Sequence, residues 1–168
     1  MSSEIIVHPI PPVYDADSSV LILGSFPSVK SRETAFFYGH GQNRFWRVVA
    51  AVFGEKVPES VDEKKAMLLK NGIAVWDVIR SCEISGSADS SIRNVVPNDV
   101  GLILRASRVS RIFTNGKKAD ELYRKYLEAE TGVKAVCLPS TSPANAAWSL
   151  DRLTERWRAI KADGDAGI

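Results

Sequence analysis

A three-layer α/β/α domain around a central, mainly parallel sheet of four strands is the architecture this sequence predicts, and three observations lead to it. Four short apolar runs, Val20 to Leu23, Ile73 to Ile79, Arg111 to Thr114 and Val133 to Leu138, each suit a strand buried on both faces. Segments with helical apolar spacing separate these runs. The 168 residues amount to one domain, and 45% apolar with 25% charged residues excludes a largely disordered or collagen-like chain.

In chain order, Met1 to Tyr14 carries Glu4, His8 and prolines where a signal peptide would carry a basic and then an apolar stretch, so none is expected. The first strand, Val20 to Leu23, runs into Gly24-Ser25-Phe26-Pro27-Ser28 and a long segment to Gln42 without evident regular structure, a type of loop that is usually functional. A helix follows over Asn43 to Phe53, and another over Val61 to Asn71 that Gly72 caps. After the second strand, Ile73 to Ile79, the serine-rich stretch Arg80 to Asn98 reads as a mobile surface excursion. Asn98 to Ala106 reads as a helix, Arg111 to Thr114 as the third strand, and Lys117 to Thr131 as a helix capped by Gly132. The fourth strand, Val133 to Leu138, precedes the small polar turn Pro139 to Asn145. The last helix is expected to start at Ser142-Pro143, an N-cap followed by proline at the first helical position, and to reach about Ile160, with Lys161 to Ile168 a frayed tail.

Composition narrows the function. Lys plus Arg is 22 against 20 acidic residues, so any nucleic-acid contact must be local rather than driven by an overall field. Cys82, Cys137, His8 and His40 do not stand at structural-zinc spacing, so neither a metal site nor a cofactor is expected, and Cys137 reads as a reduced core thiol. No apolar segment approaches the ~20 residues of a membrane span, which points to a soluble, cytoplasmic protein without a membrane partner. The nucleophile elbow, the P-loop and the dinucleotide fingerprint are all absent.

In such a sheet ligands bind at the carboxyl ends of the strands. The loops there hold Phe36, Phe37 and Tyr38, the histidine His40, the amide of Asn43 and several hydroxyls, an inventory suited to a flat heteroaromatic base. Asn43 can be read as the N-cap of a helix whose Phe45, Trp46, Val49 and Phe53 face the core, or as an amide that orients a water, with Arg44 meeting a phosphate.

Leu21-Ile22-Leu23-Gly24-Ser25-Phe26-Pro27-Ser28 with Tyr38-Gly39-His40-Gly41-Gln42-Asn43-Arg44-Phe45-Trp46 closely resembles the first motif of the uracil-DNA glycosylase superfamily. The nearest branch is that of the hypoxanthine (deoxyinosine) DNA glycosylases, close to the mismatch-specific uracil and thymine enzymes. Leu138-Pro139-Ser140-Thr141-Ser142-Pro143-Ala144-Asn145 is similar to the second motif, and Thr114-Asn115-Gly116-Lys117-Lys118-Ala119 to the strand-to-helix turn before it. The resemblance spans roughly Val20 to Leu150. Uracil-specific members usually carry a water-positioning Asp or Asn where this chain has Ser25 and Phe26, and in the hypoxanthine branch that role goes to the amide matching Asn43.

The resemblance implies a monofunctional enzyme that hydrolyses the N-glycosidic bond of a deaminated base flipped out of double-stranded DNA, acting as a monomer and leaving an abasic site. Two cysteines cannot supply the four ligands of the superfamily's iron-sulfur branches. Asn43 and Ser142 are the residues expected to carry the chemistry. Gly24, Ser25, Phe26, Phe37, Tyr38, His40, Ser140 and Thr141 are expected to hold the base, with donors at its oxygen drawn from the Gly24 to Phe26 backbone and the Ser140, Thr141 and Ser142 hydroxyls. Arg44, Lys117 and Lys118 are placed on backbone phosphates, and Pro143, Ala144 and Asn145 in the minor groove. Two other readings remain open: a uracil or mismatch glycosylase that excludes hypoxanthine, and a silent module that binds nucleic acid or a nucleotide through the same loops.

Overall fold

Val20–Gly24 buries all five of its residues, as a strand must when both faces of its sheet are covered. Even positions Val20 and Ile22 join one hydrophobic cluster, and odd positions Leu21 and Leu23 join another. In the computed structural model, which describes residues 4–161, this strand (β2, after β1 at Glu4–Val7) lies inside a four-stranded parallel sheet of order β3-β2-β6-β7. The others are β3 (Ile73–Asp77), β6 (Arg111–Asn115) and β7 (Ala135–Leu138). Against one face pack α2 (Phe45–Phe53), α3 (Val61–Lys70) and α7 (Leu150–Trp157), through Phe45, Val49, Leu68, Leu153 and Trp157. Against the other pack α4 (Gly101–Ala106) and α5 (Lys117–Tyr126), through Ile103, Leu122 and Tyr123. The three layers follow from that division.

Several boundaries depart from the sequence reading, each for a local reason. The apolar run Ile73 to Ile79 is not one strand. Val78 N donates to Gly24 O and Ile79 N to Ser25 O, which turns the chain out of the parallel sheet after Asp77 and starts β4 (Ile79–Ile84). Because Val78 and Ile79 stay buried in the second cluster, nothing in their hydrophobicity marks the break.

Arg80 to Asn98 is likewise not a loose excursion. It holds β4 and β5 (Arg93–Pro97), which pair antiparallel, with β1 on the other side of β4, in a second sheet of order β1-β4-β5. Its strands bury one face only, so polar Arg80, Glu83, Arg93 and Asn94 interrupt the pattern. The long segment after Pro27 contains a short helix, α1 (Val29–Thr34), capped by Ser28 Oγ, which accepts from Ser31 N at 3.1 Å.

The segment Lys117 to Thr131 divides at buried Leu127 into α5 and α6 (Glu128–Thr131), and Gly132 at φ 73° ends it by donating to Glu128 O. Cys137 is half-buried on the outer strand rather than in the core. The final helix does not begin at Ser142-Pro143. Ser142 Oγ accepts instead from Ala144 N, closing a turn, and α7 starts further along the chain at its own cap, Ser149, whose Oγ accepts from Arg152 N. Of the expected frayed tail, Lys161 is held by Arg111, which donates to its carbonyl, and residues 162–168 lie outside the described range. Among the described residues no helix is long and apolar enough to cross a membrane.

Candidate active site

Gly24, Asp77 and Asn115 are the last residues of three neighbouring parallel strands, β2, β3 and β6, so their backbones end side by side at one edge of the sheet. A cavity of about 370 Å³ opens there. The loop after β2 supplies Gly24, Ser25 and Phe26, the turn before α2 supplies Phe37, Tyr38, His40 and Asn43, and the loop after β7 supplies Ser140, Thr141, Ser142, Pro143 and Ala144. Two segments far apart in the sequence therefore face each other across it. Phe36, considered with its neighbours as a stacking platform, instead packs in the core against Trp46, with ring centroids 5.9 Å apart. Tyr38 lines the cavity but has one ring face on Phe45, at 4.0 Å.

Asn43 has a fixed orientation. Its Oδ1 accepts from the backbone N–H of Phe45, the first residue of α2, at 2.9 Å, and from Thr141 Oγ1 at 2.8 Å. Asn115 Nδ2 donates in turn to Thr141 Oγ1 at 3.0 Å, and Thr141 N donates to Asn115 Oδ1 at 3.0 Å. Both lone pairs of the Asn43 carbonyl are thus used, and the two-donor NH₂ is the group left for the cavity. The N-cap of α2 is Arg44 rather than Asn43, and it has no side-chain cap hydrogen bond; Asn43, one residue earlier, holds Phe45 N with one end of its amide and leaves the other end for the cavity.

Arg44 does not face a phosphate. Its Nη2 donates to Ser142 O at 3.0 Å and Asn145 O at 3.1 Å, its Nη1 donates to Trp148 O, and its Nε is buried without a partner among the described residues. The guanidinium clamps the loop from Ser142 to Trp148, because that loop's inward carbonyls have no strand or helix partner. Asn145 belongs to the same clamp: its Nδ2 donates to Ser140 O at 3.0 Å. Lys117 and Lys118 begin α5, with Lys117 exposed, and neither reaches the first cavity. Lys117 lines a second depression with Arg156 on the other side of the Pro139 to Asn145 loop.

Three contributors escaped the sequence reading. Asp77 is 3% exposed yet lines the cavity, and its Oδ2 accepts from His8 Nε2 at 2.8 Å. Ile10 N donates to His8 Nδ1 at 3.1 Å, which leaves the ring proton on Nε2, pointing at the carboxylate. Asn115 is the third. The strand-end rule would have found Asp77 and Asn115 had the end of β3 been placed at Asp77 rather than at Ile79, and the end of β6 at Asn115 rather than at Thr114. Beside Asp77, burial first and the carboxylate second push the Tyr38 phenol far above its ordinary pKa of 10, so it stays a donor. The Asn115 amide opposes that shift without meeting hydrogen-bond geometry.

Residues 11–162 match the model of the uracil DNA glycosylase superfamily. A curated relative from Methanosarcina acetivorans, named hypoxanthine DNA glycosylase, is 39% identical over 152 residues, covering 89% of this chain and 94% of the relative. A second of the same name, from Methanosarcina barkeri, is 33% identical over 80% of this chain and 85% of its own length. A solution NMR structure from Methanosarcina acetivorans, provisionally named a uracil DNA glycosylase, superposes with a TM-score of 0.79 at 34% identity, covering 94% of this chain and 96% of that one. With this match over nearly the whole chain, and with the two facing loops in the positions the motifs require, the chain belongs to the uracil DNA glycosylase superfamily.

Proposed function

We propose that this chain is a monofunctional DNA glycosylase that hydrolyses the N-glycosidic bond of deoxyinosine flipped out of duplex DNA. The observation that carries the reading is the Asn43 amide, locked by Thr141 and Asn115 with its NH₂ turned to a strand-end cavity. The names and coverage of the two curated relatives support hypoxanthine over uracil as the base. A cavity assembled within a single chain supports action as a monomer.

In this reading the C1′–N bond breaks first and an oxocarbenium-like sugar forms. Asn43 Nδ2 donates to a water and aims its free lone pair at C1′. An amide cannot take the water's proton, which the departing base anion accepts as the C1′–O bond forms, so positioning rather than base catalysis is its contribution. Ser142 Oγ accepts from Ala144 N, which leaves its own O–H to donate toward the departing base. Pro143 and Ala144 sit at the rim, where small side chains make a weak wedge in the vacated stack.

The test is incubation of purified protein with matched duplexes containing one deoxyinosine, one deoxyuridine or neither, with abasic sites scored by alkaline strand cleavage. Cleavage at deoxyinosine is expected. Cleavage only at deoxyuridine would move the substrate to uracil, and salt-sensitive binding with no cleavage would overturn the enzyme reading.

Thr141→Val keeps the volume of a fully buried side chain but deletes the hydroxyl between Asn43 and Asn115. It is expected to slow base release by roughly tenfold, and to cost about 1–3 kcal/mol in a denaturant melt for the orphaned Asn115 donor. Thr141→Ser should restore both. A Thr141→Val enzyme with the wild-type single-turnover rate would show that the amide needs no such support.

A further inference from the structure

The loop from Pro139 to Ser149, whose residues Ser140 to Ala144 wall the cavity on one side, is braced along its length. Arg44 holds the carbonyls of Ser142, Asn145 and Trp148, while Ser142 N donates to Ser140 Oγ at 3.1 Å, Asn145 N to Ser142 O at 3.0 Å and Trp148 N to Asn145 O at 3.2 Å. Its largest side chain, Trp148, is half-buried against the first hydrophobic cluster and lies beneath the Arg152 guanidinium, 4.3 Å from the ring centroid. Pro143 and Asn145 are half-buried as well, so the positions that the loop leaves exposed are Ala144, Ala146, Ala147 and Ser149, the cap of α7. Beyond this loop, the exposed residues among those lining the cavity are His40 and Ser87. The His40 ring is held in turn, its Nδ1 accepting from Gln42 N at 3.1 Å. The mouth through which a base must enter is therefore a fixed edge of alanines faced by a histidine and a serine.

Drawing a paired base out of a duplex loses its pairing and stacking, and the loss is smallest where the base is mispaired or already single-stranded. Proteins that open base steps offset the loss by inserting a long apolar side chain into the gap. An alanine methyl is too short to fill the space of a base, and the braced loop keeps Trp148 below its own surface. We propose that this chain does not force a paired base out but captures one that is already unpaired, so that deoxyinosine in single strands, bulges and mispairs is its substrate class and deoxyinosine paired with deoxycytidine is a poor substrate. This rests on the glycosylase reading above and deepens it. The cost of opening the pair passes undiminished into the barrier for base release, and the rate follows how readily the target leaves its stack. Opposite cytosine, hypoxanthine makes a Watson–Crick pair. Opposite thymine, where deamination of adenine leaves it, the pair is a weaker wobble, so the lesion as it arises is the one that the alanine edge can still capture.

The test is single-turnover cleavage at saturating protein, on one sequence that carries deoxyinosine in a single strand, opposite an abasic-site analogue, opposite thymidine and opposite deoxycytidine. The single strand and the abasic-opposed duplex are expected to react at least about tenfold faster than the deoxycytidine pair, with the thymidine pair between them. The abasic-opposed duplex keeps the double helix and removes only the partner base, so a fast rate there isolates pair opening. Ala144→Leu places a longer apolar side chain at an exposed position of the mouth and is expected to narrow the gap severalfold by speeding the deoxycytidine pair. Rates within about twofold across all four substrates overturn the proposal and leave the glycosylase reading standing. An abasic-opposed duplex as slow as the deoxycytidine pair overturns it too, because the single-strand preference would then be a plain exclusion of duplex. A gap that neither Ala144→Leu nor Ala146→Leu narrows removes the alanine edge as its cause and overturns the proposal. Cleavage of none of the four substrates overturns this inference and the glycosylase reading together.

Discussion

Asn43→Ala is expected to slow base release about a hundredfold or more while leaving duplex affinity nearly unchanged, the pattern of a group that acts mainly in the transition state. The geometry supplies the reason. The amide's carbonyl is committed to Phe45 N and Thr141 Oγ1, so the cavity meets only its NH₂, and the alanine methyl can neither hold a water nor keep the Thr141 hydroxyl in place. The same substitution removes the acceptor that Phe45 N uses at the start of α2, which costs about 1 kcal/mol of stability. Activity and stability must therefore be separated. Asn43→Asp retains an oxygen for Phe45 N and Thr141 while deleting the NH₂ donor. A wild-type melting temperature with strongly altered release in Asn43→Asp would assign the rate to the cavity-facing end. If Asn43→Ala lost activity only in proportion to its folded fraction, holding Phe45 N at the start of α2 would be its whole role.

How far the sequence could be read depended on whether a signal was local. Gly24, Asn43 and Thr141 stand in short motifs whose residue types and order are themselves informative, and the cavity brings them together. The parallel sheet was legible because strands buried on both faces read as unbroken apolar runs. Its antiparallel companion was not, because β4 and β5 bury one face, and β1 is a strand of only 4 residues with no apolar pattern beyond them. Asp77 was hidden by the same run that revealed β3: the apolar residues on either side of it, Trp76 and Val78, belong to one continuous core although the chain changes sheets between them. His8 could not be found locally at all. Its meaning comes from a partner 69 positions away, and nothing in the prolines around it points there. The start of α7 failed for a different reason. Ser142-Pro143 is a sound helix-start signal, but the carbonyls of Ser142 and Asn145 are claimed by a side chain from the opposite motif.

That side chain yields the second large effect. Arg44→Met preserves much of the aliphatic stem but removes the guanidinium donors to the carbonyls of Ser142, Asn145 and Trp148, leaving the first two only their backbone donors, Asn145 N and Trp148 N. Charge-assisted hydrogen bonds contribute about 1.5–3 kcal/mol each, and Arg44 is only half-buried, so water replaces part of what they supply. A net destabilisation of about 3 kcal/mol is expected, a fall of roughly 6–12 °C in melting temperature for a chain of this length. Base release should fall with it, since the loosened loop carries Ser142. A phosphate-binding Arg44 would behave differently: stability would be retained, and the dependence of log affinity on log salt would flatten by about 0.9, the share of a single neutralised phosphate. The clamp predicts an unchanged salt slope. Lys117 is the matching control, because it is exposed and shares its depression with Arg156 beside the same loop. Lys117→Gln is expected to flatten the slope by about that single-phosphate share without moving the melting temperature. Measured side by side, the two variants separate the arginine that builds the site from the lysine that meets the DNA, two roles that a basic residue beside a motif cannot declare from sequence alone.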